Sequence, residues 1–419
     1  MKIAFFLPAK ICKSQGKYLS GGTAHIMFPG LKLCFERIDL LSFFDDSGAI
    51  DSDYKQEIDL NLVRLRPLPF YRNTWELYFL KLPGIFWRMR NFFKRYAREW
   101  GAIILYECGV VSQMAFLLSK AYGVPNFFWI GGEAIKSVQT KLGFSNSFRG
   151  LLKMLMAYEN GLALKILAGR ANGLLVTGKD LSSHFQRLNP EVHHFTATGV
   201  RAADIEPDLP ARRLQENDQL FKILTVCSVW PTKGLESVIE ALPRLHAKGI
   251  KAYYVIAGPQ WDPAYASRLN NLIKEKNLED QARLLGAIQH GPDLFRLYRE
   301  ADVFVLPSLT EGTPKVLPEA MAKGLPLVVT RVGGLPELVD DGVQGFLVPP
   351  GDTGELTAAL FKIAGDKELR YRMGKKALER AAEFTMERQM RGIAEWIIER
   401  TYNKKSTNIT SPSSISTYS

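Results

Sequence analysis

LPSLTEGTPKVLPEAMAKGLPLVVTRVGGLPELV, from Leu306 to Val339, is the stretch whose reading decides the fold. The run entering it, Val303 to Leu306, is continuously apolar and reads as a buried strand, stopped by Pro307. Thr310-Glu311-Gly312-Thr313-Pro314 is a turn that opens a short helix. Pro318 fits only the first turn of that helix, and Gly324 closes it. Leu327-Val328-Val329 then begins a second strand, which ends at Gly333-Gly334. Such a strand–turn–helix–strand unit aims free helix amides at whatever lies beyond the strand ends, and a diphosphate would suit that place. The spacing puts Glu311 at the helix mouth and Glu319 on the helix flank. Two carboxylates beside a phosphate site point to recognition of a hydroxyl-rich sugar.

A Glu-x7-Glu spacing alone recurs by chance. The composite EG-x-P-x4-EAMA-x-G-x-P followed by GG-x2-E is specific, and it resembles the signature of glycosyltransferase family 4, the glycosyl transferases group 1. The resemblance implies an α/β protein of the GT-B fold: two facing Rossmann-like domains with a cleft between them and a C-terminal helix crossing back. It implies a retaining enzyme whose donor is a nucleotide diphosphate sugar; no other cofactor is expected, and no metal, since Lys233 with helix amides could hold the diphosphate. Carried onto this sequence, it places Glu311 against the donor sugar and Glu319 against the ribose. Thr313, Pro314, Lys315 and Val316 would line the donor between them. Lys233, in CSVWPTKG, would hold the diphosphate, and Gly258-Pro259 would supply a backbone turn beside it. The family carries arginine where this chain has Ser228, so one cationic donor is replaced by a neutral hydroxyl.

Composition agrees. The chain has 419 residues, enough for two full cores, and its 46% hydrophobic and 23% charged content is ordinary for a globular protein. No apolar run reaches the roughly 18 residues of a membrane span. MKIAFFLPAK reads as a first strand rather than a signal peptide. Cys12, Cys34, Cys108 and Cys227 are scattered, without metal spacing or a paired framework, which suits a reducing cytoplasm. The formal charge of +11 is uneven. Between Asn61 and Trp100 nine Lys and Arg residues face only Glu76 and Glu99, a local excess of seven.

In chain order, Lys2–Leu7 is a strand and Lys10–Gly22 a polar, glycine-bearing loop, with a helix over Ala24–Glu36. Gly21-Gly22 is either an ordinary strand–helix turn or, as the resemblance implies, a close approach of backbone to the donor. Arg37–Phe44 and Asp59–Leu65 read as strands. Gly84–Trp100 is a two-sided helix: Ile85, Met89, Phe92, Phe93, Tyr96 and Trp100 share one face, thickened by Phe86 and Trp87, and Arg88, Lys94, Arg95 and Arg98 occupy the rest. It is either a helix packed on the sheet with a solvated basic back or an interfacial helix drawn to anionic lipid. The family often has histidines after the next two strands; here Glu107 and Glu133 stand in that neighbourhood. Glu133 could orient or deprotonate an acceptor hydroxyl, or simply cap a helix. Thr198-Gly199-Val200 resembles the turn that closes the first domain, with threonine for asparagine. His193 and His194 have no further ligand nearby in sequence to support a metal role, and Asp51-Ser52-Asp53 is isolated from the donor motifs.

The expected organisation is therefore a first Rossmann-like domain over 1–201 on the acceptor side and a linker over 202–219. A donor-side domain follows over 220–384, a returning helix over 385–403 and a disordered tail over 404–419. The catalytic candidates are Glu311, Lys233 and Glu133. The donor-binding candidates are Gly22, Ser228, Lys233, Gly258, Glu311, Thr313, Pro314, Lys315, Val316 and Glu319. Expected partners are a nucleotide-sugar donor, a saccharide or lipid-linked saccharide acceptor and an anionic inner-leaflet surface, with no nucleic acid. The activity expected is glycosyl transfer in cell-surface polysaccharide or glycolipid synthesis, by a cytoplasmic protein peripheral to the membrane. The alternative is a non-catalytic GT-B binding subunit, which Ser228 and the absent histidines favour and the Glu311, Glu319 and Lys233 set opposes.

Overall fold

A computed structural model of the chain describes residues 1–14, 17–20, 27–45, 56–71, 76–106, 109–131, 161–215 and 220–407. It divides into two compact units, one of residues 1–195 with 389–419 and the other of residues 196–388. Each is an α/β layer structure built on its own sheet.

The first unit holds β1 (Lys2–Ser14), β2 (Lys17–Ser20), β3 (Arg37–Asp45), β4 (Gln56–Glu57), β5 (Arg64–Pro69), β6 (Ala102–Tyr106), β7 (Asn126–Ile130), β8 (Gly173–Thr177) and β9 (Val192–Phe195). The parallel strands run β5-β3-β1-β6-β7-β8-β9, so successive strands spread first to one side of β1 and then to the other. Continuous apolar runs such as Ile3-Ala4-Phe5-Phe6 and Phe127-Phe128 are fully buried because helices cover both faces of such a sheet.

Three local expectations change in this unit. Within Lys10–Gly22, expected as a loop, residues 10–14 continue β1 and residues 17–20 turn back on it as antiparallel β2. The segment looks polar, but Ile11 and Cys12 are buried and the pairing satisfies a backbone that a loop would leave to water. The strand expected from Asp59 starts at Arg64; before it, the Asp59 carboxylate accepts the Asn61 N–H at 2.8 Å and sets a turn. The basic helix spans Leu82–Tyr96 and buries Ile85, Met89 and Phe93, with Phe92 and Tyr96 half-buried beside them. Phe86 and Trp87 do not join that face: they are 40% and 64% exposed.

The second unit holds β10 (Phe221–Val226), β11 (Ala252–Ala257), β12 (Ala282–Gly286), β13 (Val303–Leu306), β14 (Leu327–Thr330) and β15 (Gly345–Val348). All pairs are parallel, in the order β12-β11-β10-β13-β14-β15. This is the doubly wound order, with its reversal between β10 and β13. The polar Ala202–Gln219 stretch, expected as a linker, is held to this unit over its described residues. Leu209–Gln215 is helical with Leu209 and Pro210 buried. Glu206 takes Arg299 and Lys323 at 2.7 Å each, and those two cations hold its carboxyl down to about 2. Arg213 donates to the carbonyls of Lys323, Gly324 and Tyr298. Here Glu206 is matched by two cations and Arg213 by backbone carbonyls, which composition alone does not show.

The last helix, Met386–Thr407, begins in the second unit and from Gln389 onward belongs to the first. Met390, Ile393, Ala394, Ile397 and Thr401 are buried at helical spacing. Trp396 meets the Phe127 ring edge-on at 5.6 Å and lies 5.4 Å from His193. At Gly173 any Cβ would overlap the Trp396 ring. Arg400 pairs with Glu191 at 2.6 Å. Burial first, then His194 and Arg400, push His193 down to about 4, so it is neutral near pH 7 and acts as a packing residue. The tail expected to be disordered falls from residue 408 onward outside the described residues.

Trp396→Ala removes the ring that β7 and β8 pack against. Urea denaturation should show a loss of roughly 2–4 kcal/mol; an unchanged midpoint would mean that the returning helix contributes no packing to the first unit.

Candidate functional site

In an open doubly wound sheet the ligand crevice lies beyond the carboxyl ends of the strands flanking the reversal. In the second unit those strands are β10 and β13, and the sequence candidates leave from both. After β10, Cys227, Ser228, Val229 and Trp230 lead into a 3-10 turn at Pro231–Lys233, followed by Gly234 at φ 59°. A Cβ at Gly234 would strike the Pro307 carbonyl oxygen that begins the loop after β13. That loop is tied back by the Leu309 N–H to the Thr232 carbonyl at 2.8 Å. The two loops are thereby one structure.

Their charged groups meet. Lys233 Nζ lies 2.6 Å from Glu311 Oε2, with the side chains only 17% and 11% exposed. The Ser308 hydroxyl donates to the same oxygen at 2.9 Å, and the Gly312 N–H approaches Oε1 at 3.3 Å. The carboxylate is oriented by three donors from two loops, and the ammonium keeps two further N–H bonds to give. Gly333 and Gly334 explain the paired glycines of the motif. Gly333 has φ 51°, and a Cβ on it would overlap the Glu311 carbonyl oxygen. At Gly334 a Cβ would come within 2.7 Å of the Gly312 carbonyl oxygen, which accepts the Gly334 N–H at 3.1 Å.

Glu319 lies in the Val316–Ala322 helix, whose N-cap is Lys315 and whose first turn accommodates Pro318. Its side chain is 7% exposed. Tyr298, fully buried, donates its hydroxyl to Oε2 at 2.9 Å, and His290 Nε2 lies 3.4 Å from Oε1. Thr198-Gly199-Val200 closes over this carboxylate: a Cβ on Gly199 would be 3.9 Å from Oε1. The threonine replacing the family's asparagine still makes a turn, since its hydroxyl accepts the Val200 N–H at 3.0 Å.

The structure thus brings Lys233 and Glu311 into contact, with Gly312 beside them. Thr313 Oγ1 would lie 3.2 Å from a Cβ at Gly334, and Pro314, Lys315 and Val316 lead directly into the Glu319 helix. Gly258 ends β11 against β10, where a Cβ would overlap the Cys227 carbonyl. Ser228 follows β10 in a half-buried position. Burial pushes the Cys227 thiol up to about 12, leaving it protonated. Gly22, Glu107, Glu133 and the Asp51–Asp53 pair lie outside the described residues. Among the described residues no group of three His, Cys, Asp or Glu is placed to hold a metal ion. A separate cavity of about 540 Å³ in the first unit, lined by Tyr18, Lys32, Arg37, Asn61 and Arg64 among others, contains none of the sequence candidates.

Tyr298, His290 and Ser308 are additions that sequence reading missed. Leu294 and Tyr298 share the inward face of the Pro292–Glu300 helix, which i,i+4 spacing signals. The partner 21 residues further on is not signalled by any local pattern.

Comparison with known proteins fits this geometry. The profile of the family described as glycosyl transferases group 1 matches residues 210–380. The alpha-D-kanosaminyltransferase of Streptomyces kanamyceticus is 30% identical over 306 residues, covering 70% of this chain and 76% of that protein. The putative colanic acid biosynthesis glycosyltransferase WcaL of Salmonella typhimurium is 35% identical over 181 residues, which is 42% of this chain but only 40% of that protein. In three dimensions the chain is similar to Anabaena HepE, solved in complex with UDP, at TM-score 0.63 and 18% identity, covering 98% of this chain and 100% of the other. The fold is that of the GT-B class. The chain belongs to the glycosyl transferases group 1 family.

Gly333→Ala forces a Cβ onto the Glu311 carbonyl at a positive φ. It should lower stability by roughly 2 kcal/mol or more, read as a fall in the urea midpoint; a variant as stable as the parent would show that the Glu311 loop is not wedged there.

Proposed function

We propose that the protein is a retaining glycosyltransferase that moves a sugar from a nucleotide diphosphate sugar to a hydroxyl of a saccharide or lipid-linked saccharide, in cell-surface polysaccharide or glycolipid synthesis. The observation that carries this reading is the Lys233–Glu311 pair at the strand reversal of the second unit, with buried Glu319 on the next helix. Lys233 faces the diphosphate and stabilises the charge that develops as the glycosyl–phosphate bond breaks. Glu311, fixed by Lys233 and Ser308, accepts hydrogen bonds from hydroxyls of the donor sugar and holds it for attack. Glu319 accepts from the ribose. The leaving phosphate oxygen takes the acceptor's proton on the face from which it departs, which gives retention. Glu133 is proposed to orient the acceptor hydroxyl, and Gly22 to bring backbone near the donor. The family membership, the UDP held by HepE and the colanic acid role named for WcaL support this assignment.

Ser228 favours a second reading, a binding subunit without turnover, since a hydroxyl replaces a charge-bearing arginine. Release of nucleoside diphosphate from a panel of sugar donors separates the two. Under the first reading Lys233→Ala and Glu319→Ala each lower turnover by roughly 10²–10³-fold. Normal rates in both folded variants would place the donor elsewhere.

We infer further that the acceptor is reached at a membrane surface, from the cytoplasmic side. No described helix is long and apolar enough to cross a membrane. Not all of the basic window is available: Arg66 is buried against Asp39 and Tyr96. Arg88, Arg90, Lys94, Arg95 and Arg98 are exposed, and Leu80 and Trp87 beside them are 75% and 64% exposed. Near an anionic leaflet each cation contributes about 1 kcal/mol. The protein should co-sediment with phosphatidylserine-containing vesicles at low salt and be released near 1 M salt, where the Debye length is about 3 Å. Reversing Arg88, Lys94, Arg95 and Arg98 to Glu should abolish sedimentation; binding that survives the reversal rules this surface out.

A further inference from the structure

Glu319 is held from two sides by groups outside the motif that contains it. Tyr298 is fully buried and donates to Oε2 at 2.9 Å. His290 Nε2 is 3.4 Å from Oε1, beyond a good hydrogen bond but within ion-pair reach, and its side chain is 44% exposed. A carboxylate offers about four lone-pair sites, so most of this one's accepting capacity is open for a ligand.

We propose that Tyr298 and His290 are positioning residues for Glu319 in nucleotide binding: Tyr298 fixes the plane of the carboxylate so that it accepts both hydroxyls of a ribose, and protonated His290 competes with those hydroxyls for Oε1. This rests on the donor-site reading above. Burial, and then the neighbouring Glu319, push the Tyr298 phenol well above its ordinary range, so it remains a donor at every working pH. His290 is raised, first by the Glu319 carboxylate it faces, against the opposing effect of burial. The other charges acting on it are Asp204, which raises it, and Arg201, which lowers it; the Phe295 ring packs edge-on at 5.1 Å. The sign follows. The imidazolium–carboxylate pair exists in acid and is lost as pH rises through the raised titration of His290. Oε1 is then released, and ribose binding strengthens over the same rise.

Equilibrium binding of UDP, GDP and ADP to the full chain, and of the 2′,3′-dideoxy form of whichever binds tightest, tests this. A hydrogen bond to a charged group is worth roughly 1.5–3 kcal/mol, so Tyr298→Phe should cut the preference for the ribose form about tenfold or more. Affinity for the dideoxy form should stay unchanged, and thermal melting should confirm a folded variant. His290→Gln should flatten the rise in affinity across roughly pH 5 to 8. A Tyr298→Phe protein that keeps the parent's ribose preference, or a His290→Gln protein that keeps its pH profile, overturns the proposal. Glu319→Gln separates the two levels. If it alone loses the ribose preference, only the positioning inference falls. If it too keeps the preference, or if the parent binds no nucleotide, the donor-site reading falls and takes this inference with it.

Discussion

The ion pair between Lys233 and Glu311 is the interaction on which the rest of the second unit's site depends. It joins loops that leave β10 and β13, whose onward connections lead to strands on opposite sides of the sheet. Two charges taken largely out of water lower the energy only when their geometry is fixed and further donors are present. Ser308 and the Gly312 amide supply those donors, and the shared backbone bond from Leu309 to Thr232 keeps the loops at one spacing. Gly333-Gly334 lets the segment after β14 lie directly against Glu311-Gly312. A charge pair, a bridging amide and two missing side chains thus act as one device.

Glu319 illustrates a different solution. It is buried in a short helix, yet no cation touches it at full hydrogen-bond distance; a phenol and a partly exposed imidazole face its two oxygens instead. The carboxylate is oriented while most of its lone-pair sites stay open, which leaves it available to hydroxyl donors. Glu311 is braced by an ammonium, whereas Glu319 faces a phenol and an imidazole that titrates. The two motif glutamates are therefore not equivalent, although their sequence setting treats them as a pair.

In the first unit a buried charge has a structural use. Asp39, fully buried on β3, accepts the Trp100 indole N–H at 2.8 Å and Arg37 at 3.1 Å, with Arg66 of β5 at 3.5 Å. This cluster fastens the turn after the basic helix to the sheet. It also withdraws Arg66 from the charge excess that the bare sequence shows, so the basic surface is narrower than composition suggests. What remains outside is a compact set of cations with an exposed tryptophan among them.

The strands of the second unit, the turn at Glu311, the short helix with Pro318 in its first turn and the glycine pair were legible in the sequence. Each rests on a local rule: apolar runs, proline and glycine stereochemistry, and helix start and stop signals. The extension of β1 through residues 10–14 was not legible, because Lys10, Lys13 and Ser14 look like loop residues and the pairing that holds them runs to β3 as well as to the hairpin partner β2. Nor was the binding of Ala202–Gln215 to the second unit, where Glu206 and Arg213 look like solvent residues and are satisfied by groups about a hundred positions away. From the sequence alone came the strand–turn–helix–strand unit around Glu311 and Glu319, the strands that flank it and the family to which the chain belongs. Only the tertiary structure decided what surrounds those carboxylates, because Lys233 comes 78 residues before Glu311 and Tyr298 comes 21 before Glu319. Orientation and charge are set by such long-range neighbours, and no local pattern encodes them.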